Sequence, residues 1–107
     1  MTEIQPIRSL GAREASTVAG NAASRILASP TARAGVMIHN ASATHDLWIR
    51  LVEQGASAPT ISSSDRDYVI PPENTLTLDV SETLDLYAQN SSGGAATSAY
   101  TATEVKR

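Results

Sequence analysis

"TLTLDVSETLDLYAQNSSGGAATSAYTATEV", residues 75–105, alternates apolar and polar side chains, breaks at "NSSGG" and alternates again. A period of two puts successive side chains on opposite faces of a strand. In the first run Leu76, Leu78 and Val80 share an inward face, and Thr75, Thr77 and Asp79 point outward. In the second, Leu84, Leu86 and Ala88 point inward, with Asp85, Tyr87 and Gln89 outward. The loop at 91–94 contains glycines that permit positive φ. Beyond it Tyr100 and Ala102 fall on one face, and Thr101, Thr103 and Val105 on the other. The stretch has no histidine, cysteine or lysine, so it is rich in two-faced strand and poor in reactive groups.

The same reading extends upstream. "SRILAS" (24–29) is a short strand ended by Pro30, and "TARAG" (31–35) is a turn. "VMIHNAS" (36–42) sets Val36, Ile38 and Asn40 against Met37 and His39. "LWIRLVE" (47–53) has bulk on both faces, Leu47, Ile49 and Leu51 opposite Trp48, Arg50 and Val52. Such a strand is covered on both sides or lies at a subunit contact. "QGASAPTISSSDRD" (54–67) is a polar loop. "YVI" (68–70) starts a strand that "PPEN" (71–74) stops, because proline cannot donate to a ladder. Six or seven short strands, roughly 8–12 residues apart with turn signals between them, predict an all-β fold, an antiparallel sandwich or small barrel.

That domain is predicted to span residues 24–107, preceded by an N-terminal arm over 1–23. Pro6, Gly11 and Gly20 interrupt the arm, and neither strand nor helix periodicity persists in it. A short helix is expected around Ala12–Val18. Ile4, Ile7 and Leu10 recur at three-residue spacing. The segment reads either as a frayed tail or as an arm that orders on a neighbouring subunit.

At 107 residues the chain is one domain. Its apolar fraction is 41%, but it has no Phe, and its aromatics are Trp48, Tyr68, Tyr87 and Tyr100. Large side chains dominate core energetics, so the core is thin and association with a partner would help it. The net charge is −3, and the basic residues from Arg8 to Arg66 are scattered, which argues against a nucleic-acid backbone as partner. No Cys is present, which excludes disulfides and thiolate metal sites. No apolar run approaches the ~20 residues of a membrane span. "MTEIQPIRSLGAREAS" has no apolar signal core, so a soluble chain made in a cytoplasm is expected.

Chemistry is sparse. His39, His45 and Asp46 are too few for a structural zinc site, and read as ordinary histidines. "DRD" (65–67) lacks the spacing of a calcium loop. Glu73, Asp79, Glu82 and Asp85 read as solvated charges on an open sheet face rather than a hydrolytic pair. There is no G-x-S-x-G elbow, and "SSGG" is followed by no lysine or helix. No catalytic residue, metal or cofactor is expected. Trp48 stands out either as an interface anchor or as core packing.

"RILASPTARAGVMIHNAS", "HDLWIRLV", "IPPENTLTLDV" and "LDLYAQNSSGGAATSAYTATEV" follow in an order that resembles small β-sandwich structural proteins of tailed-bacteriophage virions. The likeness runs from Arg25 to Val105 and rests on pattern, with "EQGASAPT" where a "GGT" cluster often stands. It implies a non-enzymatic head decoration or cement protein. Its partners would be the major capsid protein and sister copies, with a homotrimer fitting three-fold lattice positions and neither nucleic acid nor membrane involved. The contacts would come from Ile4, Pro6, Ile7 and Leu10 of the arm. The location would be the capsid surface, after assembly from the host cytoplasm. The alternatives are a neck, tail or fibre adaptor, or a carbohydrate or host-surface binding module using Trp48 and Tyr87 as its platform.

Overall fold

In the computed structural model the described residues are 9–27, 35–80 and 83–106. They form eight strands: β1 (Ser9–Val18), β2 (Ser24–Ile26), β3 (Gly35–Asn40), β4 (Leu47–Glu53), β5 (Tyr68–Ile70), β6 (Thr75–Leu78), β7 (Leu84–Asn90) and β8 (Ser98–Lys106). Two four-stranded antiparallel sheets result, in the orders β1-β8-β3-β6 and β2-β7-β4-β5. The expected all-β sandwich is therefore the fold. Among successive strands only β4 and β5 lie in the same sheet; every other connection crosses to the opposite one.

The inward rows meet between the sheets, as alternating strands require. Val18, Val36, Ile38, Leu78, Tyr100 and Ala102 come from the first sheet; Ile26, Leu47, Ile49, Ile70, Leu86 and Ala88 come from the second. Leu76, Leu51 and Leu84 pack at the margins. Leu27 is buried here too, with a positive φ of 51°.

Residues 9–18 do not form the expected helix. They are β1, paired with β8 from Ser9↔Lys106 to Val18↔Ser98. Their register shifts between Leu10 and Arg13, a bulge that puts both residues on the outer side with Thr103 and Val105. A bulge breaks the period of two, and β8 supplies the pairing from the far end of the sequence. The sheet thus begins inside the segment read as an arm. Ile4, Pro6 and Ile7 lie outside the described residues, as do Pro30 and the turn residues 81 and 82.

Two matching corners close the strands. Asn40, at the end of β3, donates through Nδ2 to the carbonyls of His45 (2.8 Å) and Ile70 (2.9 Å), and its Oδ1 accepts from the Ser42 amide. Asn90, at the end of β7, donates to the carbonyls of Val18 (2.9 Å) and Ala96 (2.8 Å) and accepts from the Ser92 amide. Both asparagines are fully buried, and full satisfaction of the amide is what permits this. Beside the second corner, a Cβ on Gly20 would stand 2.6 Å from the Gly93 nitrogen, so this close approach requires glycine.

Candidate functional site

The outer faces of the two sheets are built differently. On the β1-β8-β3-β6 sheet, cross-strand pairing aligns Arg13, Thr103 and Met37 in one row and Thr101, His39 and Thr75 in the next. With Leu10 these side chains line a shallow groove of about 310 Å³. His39 Nδ1 lies 2.9 Å from the Thr75 hydroxyl, which fixes the ring across two strands. Leu10 is 58% exposed at the rim, a large apolar side chain left in water. The lining carries one permanent cation, Arg13, and no carboxylate. Arg13 has no acidic partner among the described residues. Hydroxyls, a thioether, an imidazole and a guanidinium offer contact and hydrogen bonding here.

The outer face of β2-β7-β4-β5 is partly covered by the chain itself, with Val69, opposite Trp48, left 39% exposed. Residues 54–67, the one connection that stays within a sheet, fold back across it. Ile61 is buried, and its carbonyl accepts from Gln89 Nε2 at 3.0 Å. Arg50 Nη1 donates to the Thr60 carbonyl (2.6 Å) and pairs with Asp65 (2.8 Å). Asp67 accepts from the Leu51 amide at 2.8 Å. Asp85 is 2% exposed, accepts from the Gly55 amide (3.0 Å) and pairs with Arg25 (3.2 Å). The expectation that Asp85, Tyr87 and Gln89 face solvent is thus corrected: all three are buried, Asp85 and Gln89 bonded to this strap and Gln89 also to the Gly20 carbonyl (3.1 Å). Val105, on the other sheet, is buried as well. On β4 the inner residues Leu47 and Ile49 are buried, and the outer residues Trp48, Arg50 and Val52 are partly buried.

Trp48 belongs to this partly covered face. It is half-buried, with the Arg66 guanidinium 4.9 Å from its ring centroid. Its Nε1 is buried and makes no hydrogen bond among the described residues. The guanidinium covers one face of the ring. Tyr87 is buried rather than beside it in solvent.

The remaining candidates are separated. His39 is on the open groove and His45 in the 41–46 turn, where its amide donates to Ser42 Oγ. No cluster of three metal-ligating side chains occurs among the described residues. The carboxylates of "DRD" are committed to the strap. Glu73 sits in the turn after Pro72 with φ of 63°, and Asp79 is exposed. Inside the sandwich, Tyr100 donates its hydroxyl to Glu14 Oε1, which lies 3.4 Å from the Leu27 amide. Burial, then this hydrogen bond and the nearby carboxylate charge, push the Tyr100 phenol well above its ordinary value. Sequence reasoning singled out Leu10 and missed Arg13 as its groove partner, because only the bulge brings them to one side.

No family model, curated protein or solved structure matches the chain.

Proposed function

We propose that this protein is a non-enzymatic virion structural protein, a decoration or cement protein that binds the outer shell of a phage head and stabilises it through contacts repeated over the lattice. The observation that supports this reading is the asymmetry of the two outer faces. One is partly covered by its own loop, which buries Ile61, Asp85 and Gln89; the other presents a groove at whose rim the exposed Leu10 continues the series of Ile4 and Ile7. Many weak contacts repeated on a lattice sum to tight attachment through effective concentration. The sequence pattern from Arg25 to Val105 supplies the virion part of the proposal, and the major capsid protein and sister copies are the partners it names.

Copy number in purified particles is the test. Quantitative mass spectrometry against the major capsid protein is expected to give a ratio between one and one to a few. A ratio near one hundredth would replace the lattice role by that of a neck, tail or fibre adaptor. Absence from particles would remove the virion reading altogether.

A further inference from the structure

The open groove has a chemistry that asks for a particular occupant. The chain is acidic overall, with a net charge of −3, yet the groove presents Arg13 and His39 and no carboxylate. Its apolar members, Leu10 and Met37, sit beside three threonine hydroxyls. An extended segment with an acid next to spaced aliphatics complements this surface: charge to Arg13, side chains to Leu10 and Met37, backbone amides and carbonyls to the threonines.

Residues 1–8, "MTEIQPIR", have that composition. Glu3 supplies the acid, five residues from the segment's one basic side chain, Arg8, and Ile4 and Ile7 stand three apart. Pro6 biases the residue before it toward extended backbone, and a polyproline-type helix of three residues per turn would set Ile4 and Ile7 on one edge. Eight extended residues reach about 26 Å; crossing four strands needs about 14 Å. Reach is therefore sufficient. Direction decides which copy's groove is met. Ser9 is already held in the ladder opposite Lys106, so folding back over the same sheet would need a full reversal at Ile7–Arg8. A neighbouring copy's groove is met without any such reversal.

We propose that the groove of β1, β8, β3 and β6 receives residues 1–8 of a second copy of this chain, with Glu3 against Arg13. This rests on the arm-to-sister-copy part of the reading above and not on the virion. A reciprocal exchange closes as a dimer, and a cyclic one as a trimer.

The test uses the full chain and three variants: Glu3→Arg, Arg13→Glu and the two combined. Arg13 is exposed, so its reversal leaves the core untouched. Sedimentation equilibrium should show the wild type self-associating as concentration rises. Each single reversal should weaken association roughly fivefold or more, and the double reversal should recover most of it. Amide shifts at Met37, His39 and Thr101 should track association. A monomer at every concentration overturns the proposal, as does an oligomer indifferent to both single reversals. Groove shifts that are independent of concentration but abolished by Ile4→Ser overturn it in favour of the chain's own arm. If self-association fails while the protein is still found on particles at high copy, the groove assignment falls and the decoration reading stands. If self-association behaves as stated but particles lack the protein, the reverse holds.

Discussion

The outer faces of the two sheets start from similar strands and end in opposite conditions. On β7 the outward row is Asp85, Tyr87 and Gln89, and all three are buried. On β3 the outward row is Met37 and His39, and both stay partly exposed. The difference lies in connectivity. The β4–β5 connection returns to its own sheet, so its fourteen residues (54–67) have a face to lie on; the other strands of the described residues are joined across the two sheets, and on the first sheet's outer side Met37, His39 and Thr101 stay partly exposed. A polar residue on a strand is therefore not evidence of a solvated face. What lies over it is decided by a loop elsewhere in the chain.

Breaking the strap from beneath should have the largest effect. Asp85→Ala leaves the Gly55 amide and Arg25 without their acceptor and is expected to cost about 3 kcal/mol, read as a lower urea midpoint. Ile61→Ala removes the strap's buried side chain and should cost about 2–3 kcal/mol, with faster proteolysis between residues 54 and 60. An unchanged cleavage rate would mean that Ile61 does not hold the strap down.

The space between the sheets gives a third test. Tyr100 titrates higher folded than unfolded, so between its ordinary value near 10 and its raised folded value the native state binds more protons. Stability is then complete below pH ~10 and declines as pH rises above it. Tyr100→Phe should cost about 1 kcal/mol at neutral pH and flatten this alkaline decline. An equally steep decline in the variant would assign it to other groups.

The smallest effects sharpen the contrast. Arg66→Ala should cost about 0.5–1 kcal/mol and shift the emission of Trp48, the only tryptophan, toward the red. His39→Ala, on the open face, should change stability by no more than about 0.5 kcal/mol. A cost near that of Asp85→Ala would show that the first face is as covered as the second.

Much of this architecture is legible in the sequence where strands alternate cleanly. The predicted bounds of 47–53, 68–70 and 84–90 coincide with β4, β5 and β7. β1 is not legible, because Ala15, Ser16 and Thr17 carry no strong pattern, the bulge shifts the period, and the pairing partner lies some ninety residues on. The strap leaves two traces in the sequence, bulk on both faces of β4 and a lone isoleucine, Ile61, in a polar loop. Neither says that they meet. Leu10 is legible as an unexplained aliphatic, but its place at a groove depends on β8 and β3.

The sheet orders carry a kinetic consequence. Since β4 and β5 are the only successive strands that pair, every other ladder joins distant parts of the chain. Each must meet its loop-closure entropy before any contact compensates, which places such topologies in the millisecond-to-second range of folding times. Among the described residues β8 is the one partner of β1 and one of two for β3. During synthesis, then, residues 9–18 and 35–40 wait with exposed edges until 98–106 have emerged, and three of the four strands of the open-faced sheet come together only at that late moment.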